Sequence, residues 1–342
     1  MLLSDDQILI RDSAREFAQR EIAPRAAEMD KTAEFPTDIA VKLGELGFLG
    51  MTISEEWGGI GADNVSLALV IEEISAADGA CGLLVGLQNS VVCGPINQFG
   101  SKEQKERFLR PAARGEMRGC FCLTEPQAGS DASNLRTRAE LRGNRYIVNG
   151  SKQFISSGST ADFALIFGVT DPDAGKKGIS AFIALTDADG YQVVTREDKL
   201  GQRASDTCQL SFNDLEVFPD MVLGEPGEGY RIALSNLEGG RIGIGAQALG
   251  IARAAYEAAL SYAKDRESMG RPIIEHQAVA FRLADMATKI EVSRQMILHA
   301  ATIKDSGRPA LKEASMAKLF ASEMAEEVCS AAIQIHGGYG FV

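Results

Sequence analysis

The hydrophobic positions of the 342-residue chain change their period twice. From residue 1 to about 119 they recur at helical spacing. Ser4-Asp5-Asp6-Gln7 has the order of a capping box. Ile10, Ala14, Phe17, Ala18 and Ile22 then mark one helix face, and Pro24 ends the pattern. A second helix is predicted over Pro36–Leu46 and a long apolar one from Val65 through Leu87, with a glycine-rich loop at Glu55–Gly61 between them. From about Cys120 to Val222 the period becomes two. Arg145–Val148 and Gln153–Ser156 flank Asn149-Gly150, a pair that tolerates positive φ, so a β-hairpin is predicted there. Phe163–Val169, Ile179–Leu185, Gln192–Thr195 and the alternating Cys208, Leu210 and Phe212 read as further strands. No helix of useful length separates these strands, so the sheet is expected to be antiparallel, a sandwich or barrel. After Gly229, alanine-rich helical runs cover about 231–265, 275–305 and 310–336, with a break at Asp305–Pro309. The fold class is therefore α+β and multidomain. It comprises an N-terminal helical domain (1–119), a middle β-domain (120–223) and a C-terminal helical bundle (224–342), the last incomplete at its end.

Composition narrows the function. A 45% hydrophobic share excludes disorder, and Lys+Arg 35 against Asp+Glu 47 gives a net charge of −12. So acidic a surface repels nucleic-acid phosphates and anionic lipid, and neither is expected as a partner. No run approaches the roughly 18 apolar residues of a membrane span, so insertion is not expected either. MLLSDDQ carries acids where an export leader carries basic residues. The six cysteines (81, 93, 120, 122, 208, 329) and three histidines (276, 299, 336) do not make a zinc set. No metal site is expected, and the thiols read as reduced and buried.

Gly243-Ile244-Gly245-Ala246-Gln247-Ala248, with Asp265 downstream, matches a dinucleotide-binding fingerprint. That motif needs a preceding strand, whereas Tyr230–Leu237 reads as helix. The glycines are better explained by close helix packing.

The most informative string is Phe121-Cys122-Leu123-Thr124-Glu125-Pro126-Gln127-Ala128-Gly129-Ser130-Asp131. Apolar strand residues run into a turn whose amides and hydroxyls are free to face a ligand. It resembles the first signature of the acyl-CoA dehydrogenase family, and the resemblance continues in order along nearly the whole chain. Lys152-Gln153-Phe154-Ile155-Ser156 is similar to the family's Trp-Ile-Thr/Ser strand, with Phe154 replacing the tryptophan. Leu200–Thr207 resembles its G-x-R-x-S stretch. Arg266, Met269 (for the usual Phe), Gly270, Pro272 and Gln277 fit R-x-x-F-G-x-P…Q. Gln334-Ile335-His336-Gly337-Gly338-Tyr339-Gly340 matches QxxGGxG.

What the resemblance implies is an FAD enzyme and a homotetramer. The flavin would be held by Phe121, Leu123, Thr124, Gly129, Ser130, Phe154, Ile155 and Ser156. Arg266, Met269, Gln277, Gln334, Gly337 and Gly338 would approach the ADP half of FAD bound mainly by a neighbouring subunit. Ser130, Glu238 and Arg241 would contact acyl-CoA, because Leu237-Glu238-Gly239-Gly240-Arg241 resembles the family's substrate helix. The implied reaction is α,β-dehydrogenation of a short or short-branched acyl-CoA to the trans-2-enoyl-CoA, in fatty-acid or amino-acid catabolism. Electrons would go to an electron-transfer flavoprotein, in bacterial cytoplasm or mitochondrial matrix. His336, Cys120, Cys122 and Glu125 read as structural.

The family's catalytic Glu usually follows QxxGGxG by a few dozen residues, past Val342, so the base is expected outside this chain and truncation of a normal enzyme is the expectation. The alternative base position, one residue before the substrate-helix arginine, holds Gly240. Glu238 lies two residues further back, about 200° around the helix, and is a poor substitute. The competing expectation is a catalytically silent flavin or acyl-CoA-binding homologue, or an assembly subunit.

Overall fold

The computed structural model describes residues 2–342. The long helices are α1 (Asp5–Phe17), α2 (Thr37–Glu45), α3 (Asn64–Ala77), α4 (Gly79–Leu87), α5 (Gly229–Asp265), α6 (Gln277–Asp305) and α7 (Leu311–His336). Two compact units emerge. Among the described residues, one holds 2–26, 63–83 and 241–342, the other 27–62 and 84–240. The first 119 residues are thus divided between the units.

In the first unit the capping box is realised: Ser4 Oγ accepts from the Gln7 N–H and Gln7 Oε1 from the Ser4 N–H. The expected single helix over 65–87 is broken. Asp78 is extended (φ −157°) and its carboxylate accepts from the Cys81 N–H, capping α4 as α3 ends. Apolar periodicity passes through an aspartate that the backbone uses as punctuation. Gly79–Phe99, in which α4 is followed by a π turn and a short helix, has the length and hydropathy of a membrane span, contrary to expectation, but 61% of it is buried within the protein. The dinucleotide-like glycines lie inside α5 and follow no strand: a Cβ on Gly245 would stand 3.3 Å from Ile297 Cγ1, and the tighter approach, 2.3 Å to the Glu72 carbonyl oxygen, belongs to Gly250 further along. Glu72 and Glu73, both buried, meet Arg253 and Arg294, and Arg15 also reaches Glu73, so each buried carboxylate has guanidinium partners.

The second unit is built on one eight-stranded sheet. Its strands are β1 (Gly119–Cys122), β2 (Arg138–Arg142), β3 (Arg145–Ser156), β4 (Phe163–Val169), β5 (Ile179–Leu185), β6 (Tyr191–Arg196), β7 (Thr207–Val217) and β8 (Val222–Leu223). Their order is β6-β7-β3-β2-β4-β5-β8, with β1 beside β4. The sheet is not wholly antiparallel as expected: β1 runs parallel to β4, and β2 meets β4 in a single parallel pair. β4 and β5 are buried along almost their whole length, which is why they read as unbroken apolar runs. Phe163, Phe167, Phe182 and Phe212 fill the core.

The predicted hairpin at Asn149-Gly150 is absent. β3 is one continuous strand, and the bulge at this level lies in its partner β7, where Asn213-Asp214 (Asp214 at φ 51°) stand opposite Asn149. The hairpin turn lies earlier, at Gly143-Asn144, with Gly143 at φ 64°. Glycine is needed at 150 for a different reason: a Cβ there would sit 2.5 Å from Thr137 Oγ1. Gly150→Ala is therefore expected to cost about 1–3 kcal/mol by overpacking, more than Gly143→Ala. Urea unfolding of the two variants measures the difference, and a neutral Gly150→Ala would contradict the close approach to Thr137.

Candidate functional site

Lys152 and Glu125 organise the second unit locally. Lys152 is fully buried, and its ammonium donates to the Glu125 carboxylate (2.8 Å), the Leu123 carbonyl (3.0 Å) and the Phe167 carbonyl (2.7 Å). Glu125 also accepts from the Arg136 N–H (2.6 Å), the Thr137 N–H (3.1 Å) and Gln127 Nε2 (2.7 Å). Burial alone would raise the Glu125 carboxyl, but Lys152 and these N–H donors outweigh it and hold it below its ordinary 4.5. Burial pulls the Lys152 ammonium below its ordinary 10.5, with Glu125 opposing. One side-chain pair therefore ties the end of β1, the loop after it, β3 and β4 to a point.

That knot sets two stretches side by side. The Gln153 N–H donates to the Thr124 carbonyl at 2.9 Å instead of continuing the ladder to β7. The register of β3 against β7 slips between Lys152 and Ile155, and Phe154 takes φ 59°. Its ring is turned out of the core, 64% exposed. The half-buried hydroxyls of Thr124 and Ser156 bond to no other group among the described residues. Two unengaged hydroxyls flanking an outward aromatic ring on a pinned backbone suit a planar heteroaromatic ligand. Gly129 and Ser130 are exposed on the same loop.

Other residues of the expected set are placed differently. The side chains of Leu123 and Ile155 are buried in the core, and Phe121 packs on Phe167 with centroids 4.8 Å apart. Only the backbone of these three is open to a ligand role. Glu238 is half-buried on α5, and Arg241, exposed on the same helix, donates to Ser315 Oγ.

In the first unit, Arg266, Gly337 and Gly338 line one cavity of about 500 Å³ together with Tyr262, His336 and Tyr339. The imidazole of His336 stacks on Tyr262 (4.7 Å, 28°), and Tyr339 meets Tyr262 edge-on. His336, read from sequence as structural, thus forms a wall of this cavity, and neither tyrosine was expected there. Met269 sits at φ 54° in the turn of a small hairpin (Glu267–Ser268 with Arg271–Pro272), 93% exposed. Gln277 and Gln334 are exposed and do not line the cavity. The cavity joins a guanidinium, a glycine turn open to backbone approach and aromatic faces, a set that fits a nucleotide diphosphate.

The class indicated by this fold and these surfaces is a flavoprotein. Family models for the acyl-CoA dehydrogenase N-terminal, middle and C-terminal domains match residues 4–116, 120–215 and 227–342. The chain is 46% identical over 342 residues to an acyl-CoA dehydrogenase of Bacillus subtilis, covering 100% of this chain and 90% of the relative. It is 42% identical over 339 residues to a short-chain specific acyl-CoA dehydrogenase of Clostridium acetobutylicum, covering 99% and 89%. The structure of butyryl-CoA dehydrogenase from Megasphaera elsdenii superposes with a TM-score of 0.98 at 39% identity, covering 100% of this chain and 90% of that one. The chain belongs to the acyl-CoA dehydrogenase family, a family of FAD-binding oxidoreductases in which homotetramers are typical.

Because the folded Glu125 carboxyl lies below 4.5, the ion pair contributes stability that is present above that pH and is lost as pH falls through the folded value. Glu125→Gln is expected to cost about 3–5 kcal/mol at neutral pH by leaving the Lys152 charge buried without a counter-charge. It is also expected to flatten the acid limb. Thermal melts of wild type and variant from neutral pH to pH 4 check both; an equally steep acid limb in the variant would contradict the assignment.

Proposed function

We propose that this chain catalyses α,β-dehydrogenation of a short or short-branched acyl-CoA to the trans-2-enoyl-CoA and delivers the electrons to an electron-transfer flavoprotein. The Thr124 loop and the Phe154–Ser156 strand, joined edge to edge, would together hold the ring of FAD. The observation that carries this reading is the 2.9 Å bond from the Gln153 N–H to the Thr124 carbonyl, which holds the two stretches together while both hydroxyls stay free. Bound FAD supplies the acceptor for the hydride leaving the β-carbon of the thioester.

Phe154 would cover one face of the ring, and the Thr124 and Ser156 hydroxyls would hydrogen-bond its polar edge. The amides of Gly129 and Ser130 continue along the loop. Donors held rigidly in advance cost no reorganisation as charge develops on the substrate, and the Lys152–Glu125 knot supplies that rigidity. Arg266 and the Gly337–Gly338 turn take the pyrophosphate end of FAD from a neighbouring subunit of a homotetramer. Met269, Gln277 and Gln334 flank that end. Ser130, Glu238 and Arg241 bind the acyl-CoA. We assign the proton-abstracting base to no residue of 2–342; Gly240 has no side chain to offer.

Bacterial cytoplasm and mitochondrial matrix both suit this chemistry. Relatives named as short-chain specific come from Clostridium acetobutylicum and, as mitochondrial proteins, from mammals including Homo sapiens.

Anaerobic mixing of an FAD-loaded full-length version, one that carries the base expected past Val342, with butyryl-CoA or 2-methylbutyryl-CoA tests the reading. Bleaching of the flavin band supports it. Tight FAD binding without bleaching by either thioester favours the silent homologue. Phe154→Ala is expected to weaken FAD by about tenfold, the loss of one ring contact. Unchanged affinity in fluorescence titration would remove Phe154 from the site.

A further inference from the structure

The Leu200–Thr207 stretch has no role in the site as described so far, yet its Asp206 grips the chain just beyond Ser156. The Asp206 side chain is buried within the second unit. Its Oδ2 accepts from the Ser159 N–H (2.8 Å), the Ser159 hydroxyl (2.9 Å) and the Thr160 hydroxyl (3.2 Å). Its Oδ1 accepts from the Cys208 thiol (2.9 Å) and faces Arg196 Nε at 3.6 Å. Its backbone carbonyl accepts from the Ser157 N–H at 2.7 Å.

Ser157 is held at φ 62°, a left-handed conformation that an L-residue adopts only under constraint. It follows Ser156 directly and, with Phe154 at φ 59°, brackets the Ile155–Ser156 dipeptide between two left-handed residues. The bracket is not imposed by the β-ladder alone, because β3 ends at Ser156. What holds the far side is a turn whose Ser157 amide and whose Ser159 and Thr160 groups all end on Asp206. The Tyr191 hydroxyl adds one more tether, to the Gly158 carbonyl at 2.8 Å.

We infer that Asp206 is a positioning residue. By fixing the Ser157–Thr160 turn it keeps Ser157 left-handed and so aims the Ser156 hydroxyl at the flavin position. This inference rests on the flavin reading above. Asparagine has the shape of aspartate but only one acceptor oxygen, so Asp206→Asn must release donors on one side of the carboxylate. A glycine at 157 adopts positive φ without restraint. Ser157→Gly should therefore restore what Asp206→Asn loses, which it would not do if Asp206 only filled space.

The test uses the full chain in four forms: wild type, Asp206→Asn, Ser157→Gly and the double variant. Amide hydrogen exchange is read without flavin; FAD affinity and the flavin midpoint potential are read with it. Asp206→Asn is expected to stay folded, to exchange faster at Ser157 and Ser159, and to bind FAD about tenfold more weakly with a shifted potential, the loss of one aimed hydrogen bond. The double variant should recover most of the affinity and the wild-type potential. The inference is overturned if Asp206→Asn leaves exchange, affinity and potential at wild-type values, or if Ser157→Gly recovers none of the loss. Should wild type bind no FAD, the flavin reading fails by itself, and the exchange at Ser157 and Ser159 still decides whether Asp206 fixes the turn.

Discussion

A lysine ammonium and a glutamate carboxylate, both removed from water, are the constraint on which the second unit depends. Either alone would be strongly unfavourable in the core, and the pair persists because the ammonium has three acceptors and the carboxylate four donors. Its position matters more than its strength. The ammonium reaches the last residues of β1, the loop beyond them and β4 from a root on β3, so four segments share one anchor. With Leu123 and Glu125 fixed from one point, the Thr124 carbonyl between them is placed to take the Gln153 N–H. The β3 ladder must then slip, and Phe154 is turned outward. The open hydroxyls and exposed ring are consequences of the knot.

Sequence patterning recovered the elements wherever one physical cause acted alone. α5, α6 and α7 followed from helical periodicity, and β4 and β5 from unbroken apolar runs. It failed where a residue type serves two purposes. Asn149-Gly150 carries the conformational freedom of a hairpin turn, but inside β3 that freedom serves the close approach of Gly150 to Thr137. Asp78 looks like a tolerable polar position in an apolar helix, yet the Cys81 amide claims its side chain. β1 could not reveal that it runs parallel to β4, because parallel pairing is set by where a strand docks.

The site was legible in outline and illegible in its supports. The motifs that resemble the family's signatures picked out Thr124, Phe154, Ser156, Arg266, Gly337 and Gly338, and the structure gathers these into two surfaces. Lys152 gave no signal, since a lysine in an alternating strand reads as a solvent-facing position. Tyr262 gave none either, because its stacking with His336 and its edge contact with Tyr339 join positions distant in the chain. Leu123 and Ile155, by contrast, have side chains buried in the core.

The most direct measurement is a titration of FAD into wild type and into the neutral double variant Lys152→Met/Glu125→Gln, with circular dichroism confirming that both are folded. Removing both charges together spares the core an unpaired ion, so the variant is expected to fold. Saturable binding to wild type is expected, and in the variant an affinity lower by at least about tenfold, with a blurred flavin absorption band. Equal affinity and an identical band in the two proteins would contradict the claim that this buried pair builds the flavin surface.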